Sequence, residues 1–142
     1  MLQVRHLLQQ KGSLVHHIDP DEPVLAAIQS MAERGIGALL VTRSGALVGM
    51  VSERDYARKV ILKGRSSRET LVREIMSGEV VTVSPADSVE ACMHLCTDHH
   101  VRHLPVLEAG EVVGLVSIGD LVKAVIDEQS EQIEHLQSYI RG

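Results

Sequence analysis

The stretch Gly49-Met50-Val51-Ser52-Glu53-Arg54-Asp55-Tyr56-Ala57-Arg58 decides how this chain is read. Leu47, Val48, Met50 and Val51 form an apolar run of strand character, and Ser52 is a favoured helix N-cap. Asp55 follows at the position from which a carboxylate can close the cap reciprocally. Arg54 and Arg58, four residues apart, share one helix face. A helix start carrying a hydroxyl and two arginines suits a phosphate. The same frame returns as Gly114-Leu115-Val116-Ser117-Ile118-Gly119-Asp120.

Working outward, residues 20–61 align with 85–126 without a gap. Identical pairs include Val24/Val89, Leu39/Leu104, Val41/Val106, Gly45/Gly110, Gly49/Gly114, Ser52/Ser117 and Asp55/Asp120. Each copy reads as strand, helix, two paired strands, helix. In the first, Leu14–Ile18 is the expected strand, with a helix opened by Pro23 and stopped by Gly35. Ala38–Val41 pairs with Leu47–Val51 across a Ser44-Gly45 turn, and a helix runs from Ser52 to about Leu62. In the second, Val80–Val83 is the strand, Asp87 and Glu90 cap the helix, and Leu104–Leu107 pairs with Val112–Val116. A last helix starts near Ser117 and reaches about Ile140, with Ile133, Leu136 and Ile140 on one stripe of its polar tail. A short helix at Val72–Met76, capped by Ser66 and Glu69, echoes Val4–Leu8. The expected class is α/β: duplicated β-α-β-β-α units packed as one pseudo-two-fold module, since about 60 residues alone bury too little surface. The expected divisions are 5–66, a linker end at 67–71, 72–130, and a helical tail at 131–142.

Apolar residues make up 44% of the chain, but Phe and Trp are absent, so the core must be aliphatic. Nineteen acids against 14 bases leave a formal charge of -5, which disfavours a general nucleic-acid or anionic-membrane surface. No apolar run has the length of a membrane span, and no signal-peptide pattern opens the chain. A soluble cytoplasmic protein is expected. Cys92 and Cys96 read as buried reduced thiols, with a metal or redox pair as the alternative. His99, His100 and His103, with His16 and His17 in the related region of the first repeat, would form a zinc site only if three or four of them converged tetrahedrally, and no catalytic triad is evident. Arg65 and Arg68 read as solvated linker residues.

A tandem unit ending twice in Gly-apolar-apolar-Ser-x-x-Asp resembles a pair of cystathionine β-synthase (CBS) domains, over about residues 5–130. The run Ser52–Val60, with Lys63-Gly64-Arg65-Ser66-Ser67 after it, is similar to small stand-alone bacterial CBS-pair proteins. The resemblance implies a regulatory module and no enzyme. Its ligand would be an adenine nucleotide, AMP foremost, with ADP, ATP, NAD or S-adenosylmethionine as others. Asp55 would accept from the ribose hydroxyls, and Ser52, Arg54 and Arg58 would face the phosphate. The resemblance also implies crossed sites. Asp55 would work with Val72, Ile75, Met76, Gly78, Val101, Arg102, His103 and Leu104, and His103 lining this nucleotide pocket is the expected reading rather than a zinc ligand. Ser117 and Asp120 would work with Ser13, Val15, His16, Ile36, Gly37 and Ala38. The second motif has Ile118 and Gly119 where the first has Glu53 and Arg54, so the Asp55 site is expected to bind phosphate better. A homodimer through the helices after Ser52 and Ser117 is expected, with an unidentified downstream protein as partner. The alternative from another class is a ligand-free scaffold in which both Ser-x-x-Asp motifs are only capping boxes.

Overall fold

A computed structural model describes residues 2–141. In chain order the elements are α1 (Val4–Lys11), β1 (His17–Ile18), α2 (Val24–Arg34), β2 (Ala38–Arg43), β3 (Ala46–Ser52), α3 (Glu53–Tyr56), α4 (Val72–Ile75), α5 (Val89–His99), β4 (His103–Glu108), β5 (Glu111–Ser117) and α6 (Ile118–Arg141). The mixed α/β architecture with duplicated units is the one expected. The chain divides into two compact units, Leu14–Val80 and a discontinuous unit of Met1–Ser13 with Val81–Gly142.

The unit 14–80 has one sheet in the order β1-β2-β3, with β1 parallel and β3 antiparallel to β2. Its core is Val24, Ala27, Met31, Leu39, Val41, Val51, Val60, Val72 and Ile75. The other unit repeats that core almost position for position: Val89, Cys92, Cys96, Leu104, Val106, Val116 and Leu121, joined by Val83 and by Val4 and Leu7 of α1. The short helices are therefore exchanged. The helix that precedes the first repeat packs with the second, and α4, which precedes the second, packs with the first. Backbone bonds fix both exchanges: Val4 N–H donates to Asp87 C=O (2.9 Å) and Val72 N–H to Glu22 C=O (2.9 Å). The compact units and the sequence repeats thus have different borders.

The hairpins are duplicates. Ser44 and Gly45 (φ 53° and 81°) and Ala109 and Gly110 (φ 52° and 81°) make the same two-residue turn, whose positive φ values match the twist of the flanking strands. Both carry a bulge at the same place: Val41 faces Gly49 but Thr42 faces Leu47, and Val106 faces Gly114 but Leu107 faces Val112.

Several local expectations are corrected. The strand expected over Leu14–Ile18 is reduced to His17–Ile18. The one expected over Val80–Val83 shrinks to a single bridge, Val83 with Val106. A proline explains the second case. In the first unit Leu40 N–H donates to His16 C=O (3.1 Å); the corresponding residue, Pro105, has no N–H to give. The helix after Ser52 widens past Tyr56 into π geometry over Ala57–Ile61, with Leu62 N–H donating to Ala57 C=O (3.0 Å). Helix α2 begins at Val24, with Pro23 extended before it. Ser88 caps α5 by accepting from Ala91 N–H (3.0 Å), while Asp87 accepts from Ser84 N–H (2.7 Å). Helix α4 is closed by Glu74, which accepts from Leu71 N–H (2.6 Å), and not by Ser66 or Glu69. Glu74 also pairs with Arg65 at 2.6 Å, so Arg65 is not simply solvated.

Candidate functional site

Each candidate motif lies where an apolar strand stops and a helix starts. Strand β3 ends on Ser52, whose backbone is extended (φ -130°, ψ 166°) and whose Oγ accepts from Asp55 N–H (3.2 Å). Asp55 answers with Oδ2, which accepts from Ser52 N–H (2.9 Å) and from its hydroxyl (3.1 Å). The second motif repeats this: Asp120 N–H donates to Ser117 Oγ (3.1 Å) and Ser117 N–H to Asp120 Oδ2 (2.8 Å). The capping boxes read from the sequence are thus both formed, and each carboxylate is half-buried and fixed in direction.

Lysines, not arginines, hold the two carboxylates. Lys59 Nζ lies 3.3 Å from Asp55 Oδ1 and donates to Ile75 C=O (2.9 Å), which ties the motif to the end of α4. Lys11 Nζ lies 2.6 Å from Asp120 Oδ2 and donates to Leu115 C=O (2.7 Å). Burial would raise the Asp120 carboxyl, but bonds from Lys11 and Ser117 outweigh it and hold the group below its ordinary value. Arg54 and Arg58 are exposed and make no hydrogen bond or ion pair among the described residues. They are uncommitted positive charges beside a fixed carboxylate. Lys59 was legible as an i,i+4 partner of Asp55. Lys11, 109 positions from Asp120, left no sequence signal.

Within the unit 14–80 the structure brings Ser52, Asp55 and Ile75 together through Lys59. Val72 and Ile75 are core residues; Met76 is half-buried and Gly78 exposed. Gly37 C=O accepts from Glu53 N–H (3.0 Å), and Ala38 lies opposite Ser52 in the sheet. His16 C=O accepts from Leu40 N–H, and its Nδ1 lies 2.9 Å from Arg34; Val15 is half-buried. In the other unit Arg102 C=O accepts from Ile118 N–H (2.9 Å), and His103 lies opposite Ser117. Leu104 is fully buried, Val101 half-buried and Arg102 exposed. Residues 37–38 and 102–103 thus sit beside the motif of their own repeat. Among the described residues no three His, Cys, Asp or Glu side chains are placed to hold a metal ion. No helix there is long and apolar enough to cross a membrane.

Comparison with known proteins agrees with this geometry. The profile of the CBS domain matches residues 14–62 and 72–127. The chain is 44% identical over 127 residues to the mitochondrial CBS domain-containing protein CBSX3 of Arabidopsis thaliana, covering 86% of this chain and 62% of that one. It therefore spans less than two thirds of that relative. It is 33% identical to the CBS domain-containing protein YhcV of Bacillus subtilis, covering 80% of each. Among solved structures, the CBS-domain protein NE2398 superposes with a TM-score of 0.85 at 50% identity, covering 89% of this chain and 99% of that one. A Burkholderia ambifaria protein with CBS domains, provisionally classed as a signal-transduction protein, gives 0.87 at 49% identity, covering 89% and 96%. With two profile matches, a relative matched over most of both chains, and two capped Ser-x-x-Asp turns in one frame, the chain belongs to the CBS-domain family and has the CBS-pair fold.

Proposed function

We propose that this protein is a non-catalytic regulatory module of the cytoplasm that binds an adenine nucleotide, AMP foremost and NAD or ATP next, and passes that state to a partner protein. One observation carries the reading: Asp55 is fixed by Ser52 while the neighbouring Arg54 and Arg58 are spent on nothing. A fixed carboxylate can accept two bonds from vicinal ribose hydroxyls, and free guanidinium groups can take a phosphate. Lys11 holds Asp120 at 2.6 Å, closer than Lys59 holds Asp55 at 3.3 Å, and Gly119 stands where the first motif has Arg54, so the Asp120 site is the weaker one. Aliphatic and backbone groups hold the base, which favours adenine over guanine.

Calorimetric titration of AMP, ATP, NAD and GMP tests this. Asp55→Ala weakens AMP by about ten- to hundredfold, the value of one or two hydrogen bonds to a charged group. Arg54→Ala and Arg58→Ala weaken AMP but not adenosine. GMP binding as strongly as AMP would refute the choice of base.

A second reading has its own support. The capping bonds at Ser52/Asp55 and Ser117/Asp120 account locally for both motifs, as in a ligand-free scaffold. It predicts that Asp55→Ala and Asp120→Ala each lower the melting temperature of the free protein and leave every titration flat. Assembly belongs to both readings. Val60 and Leu121 turn inward, but Ile61, Leu62, Ile118, Val122 and Ile126 stay 40–76% exposed on the helices after the two motifs. On each helix they leave apolar surface for a proposed homodimer. Two structural neighbours, CBS-CP12 proteins of bloom-forming cyanobacteria at 26–27% identity, are hexameric.

A further inference from the structure

The C-terminal half of α6 carries an apolar seam that this unit does not cover. Helix α6 lies on its own unit through Leu121, Ala124 and Val125. Another face holds Val122, Ile126, Ile133, Leu136 and Ile140, which are 41%, 56%, 55%, 63% and 81% exposed. With Gln129, these residues recur at alternating steps of four and three. Ile126, Ile133 and Ile140 fall on the a positions of a heptad, and Val122, Gln129 and Leu136 on the d positions. Over 122–140 this narrow seam differs from the wider, 3.6-period stripe of a helix that lies on a core.

We propose that this seam is a parallel, in-register, two-stranded coiled coil with α6 of a second copy of this chain. The charges choose that occupant. Positions e and g along the tail are Ser130, Gln132, Gln137 and Tyr139, all uncharged, so identical helices meet no like-charge repulsion there. The acids Asp127, Glu128, Glu131 and Glu134 fall on the outer positions, where they stay in water. The same acids oppose adsorption of the apolar face to an anionic membrane. Isoleucine at every a position of the tail, with leucine at d in Leu136, favours two parallel strands. In that register Gln129 meets its own copy, amide donor to amide acceptor, whereas an apolar partner would leave both groups unsatisfied. The seam rests on the homodimer reading insofar as both use Val122 and Ile126; it adds the direction, register and length of the pairing.

The test uses the full chain with single cysteines at Gln129→Cys, Leu136→Cys and, on the outer face, Glu131→Cys. Cys92 and Cys96 are buried and serve as background. Mild oxidation yields covalent dimers from Gln129→Cys and from Leu136→Cys, and none above background from Glu131→Cys. An antiparallel seam can join its own copy at one of the first two positions but not at both. Failure of either to cross-link better than Glu131→Cys overturns the proposal. In sedimentation, Ile133→Lys with Leu136→Lys raises the dimer dissociation constant about tenfold or more; an unchanged constant also overturns it. Ile61→Asp with Leu62→Asp reports on the helix after Ser52 alone. A dimer that survives the lysine pair and dissociates with the aspartate pair sinks the seam while sparing the homodimer reading. Intact cross-linking through 129 and 136 with indifference to Ile61 and Leu62 does the reverse.

Discussion

His100 occupies the left-handed cap of α5 (φ 55°), the place that Gly35 (φ 63°) takes at the end of α2. A side chain there costs about 1 kcal/mol that glycine does not incur. His100→Gly is expected to raise the melting midpoint modestly despite its looser unfolded chain, as read by thermal denaturation. The carboxylate at Asp120 gives a second test. Its folded value is held below 3.8, so its contribution is complete above that pH and is lost as pH falls through the folded value. Lys11→Met raises the Asp120 carboxyl toward the ordinary value, visible by NMR titration, and flattens this acid limb. The pair is partly exposed, so its loss costs less than about 1 kcal/mol. Burial pushes the Cys92 thiol up to about 11 and raises Cys96 as well. Native protein at pH 8 should therefore resist a thiol reagent that reacts fully once the chain is unfolded; fast native labelling would contradict this. At this scale the sequence showed the Ser52/Asp55 and Ser117/Asp120 caps and the buried thiols, but not the caps of α4 and α5. It did not show Lys11 as the partner of Asp120, because that partner is chosen by tertiary proximity, which spacing along the chain does not encode.

Among the elements, the two hairpins look interchangeable but are braced differently. A Cβ on Gly49 would meet Ser77 C=O at 2.7 Å and Met76 Sδ at 2.8 Å; one on Gly114 would meet Leu8 Cδ2 at 2.5 Å. Ser77 is bonded to Met50 in both directions (2.8 and 3.0 Å), so its carbonyl cannot withdraw, whereas a leucine end can rotate. Gly49→Ala should therefore destabilise more than Gly114→Ala in paired denaturant titrations, even though the latter clash is nominally closer. The elements were legible wherever periodicity was long: α2, α5, the hairpin strands and the start of α6. The first strands were overdrawn, since two bonded residues between turns leave little pattern. In the second copy, Pro105 was a visible warning that a ladder bond would be missing. The π turn at Ala57–Ile61 had no sequence signature; within and just after it Val60 is buried while Ile61 and Leu62 stay outside.

For the whole molecule, the repeat revealed two similar cores, but not which short helix completes which. Val4 and Val72 sit in equivalent sequence frames, and both are fully buried, each in the core of the repeat it does not introduce. Removing residues 1–13 should thus destabilise the unit around Val89 and Leu104 more than the one around Val24 and Leu39. Hydrogen exchange of α5 against α2 would show it, and faster exchange confined to α2 would contradict it. The exchange of helices also orders events in time. The unit 14–80 is contiguous and has all its parts once residue 80 has left the ribosome. The other must keep α1 unpaired, with Val4, Leu7 and Leu8 uncovered, until α5 and the second hairpin arrive. During synthesis that first helix is an orphan waiting for a partner made last, and the interval is when a nascent chain of this kind is open to capture by a chaperone or by a neighbouring copy.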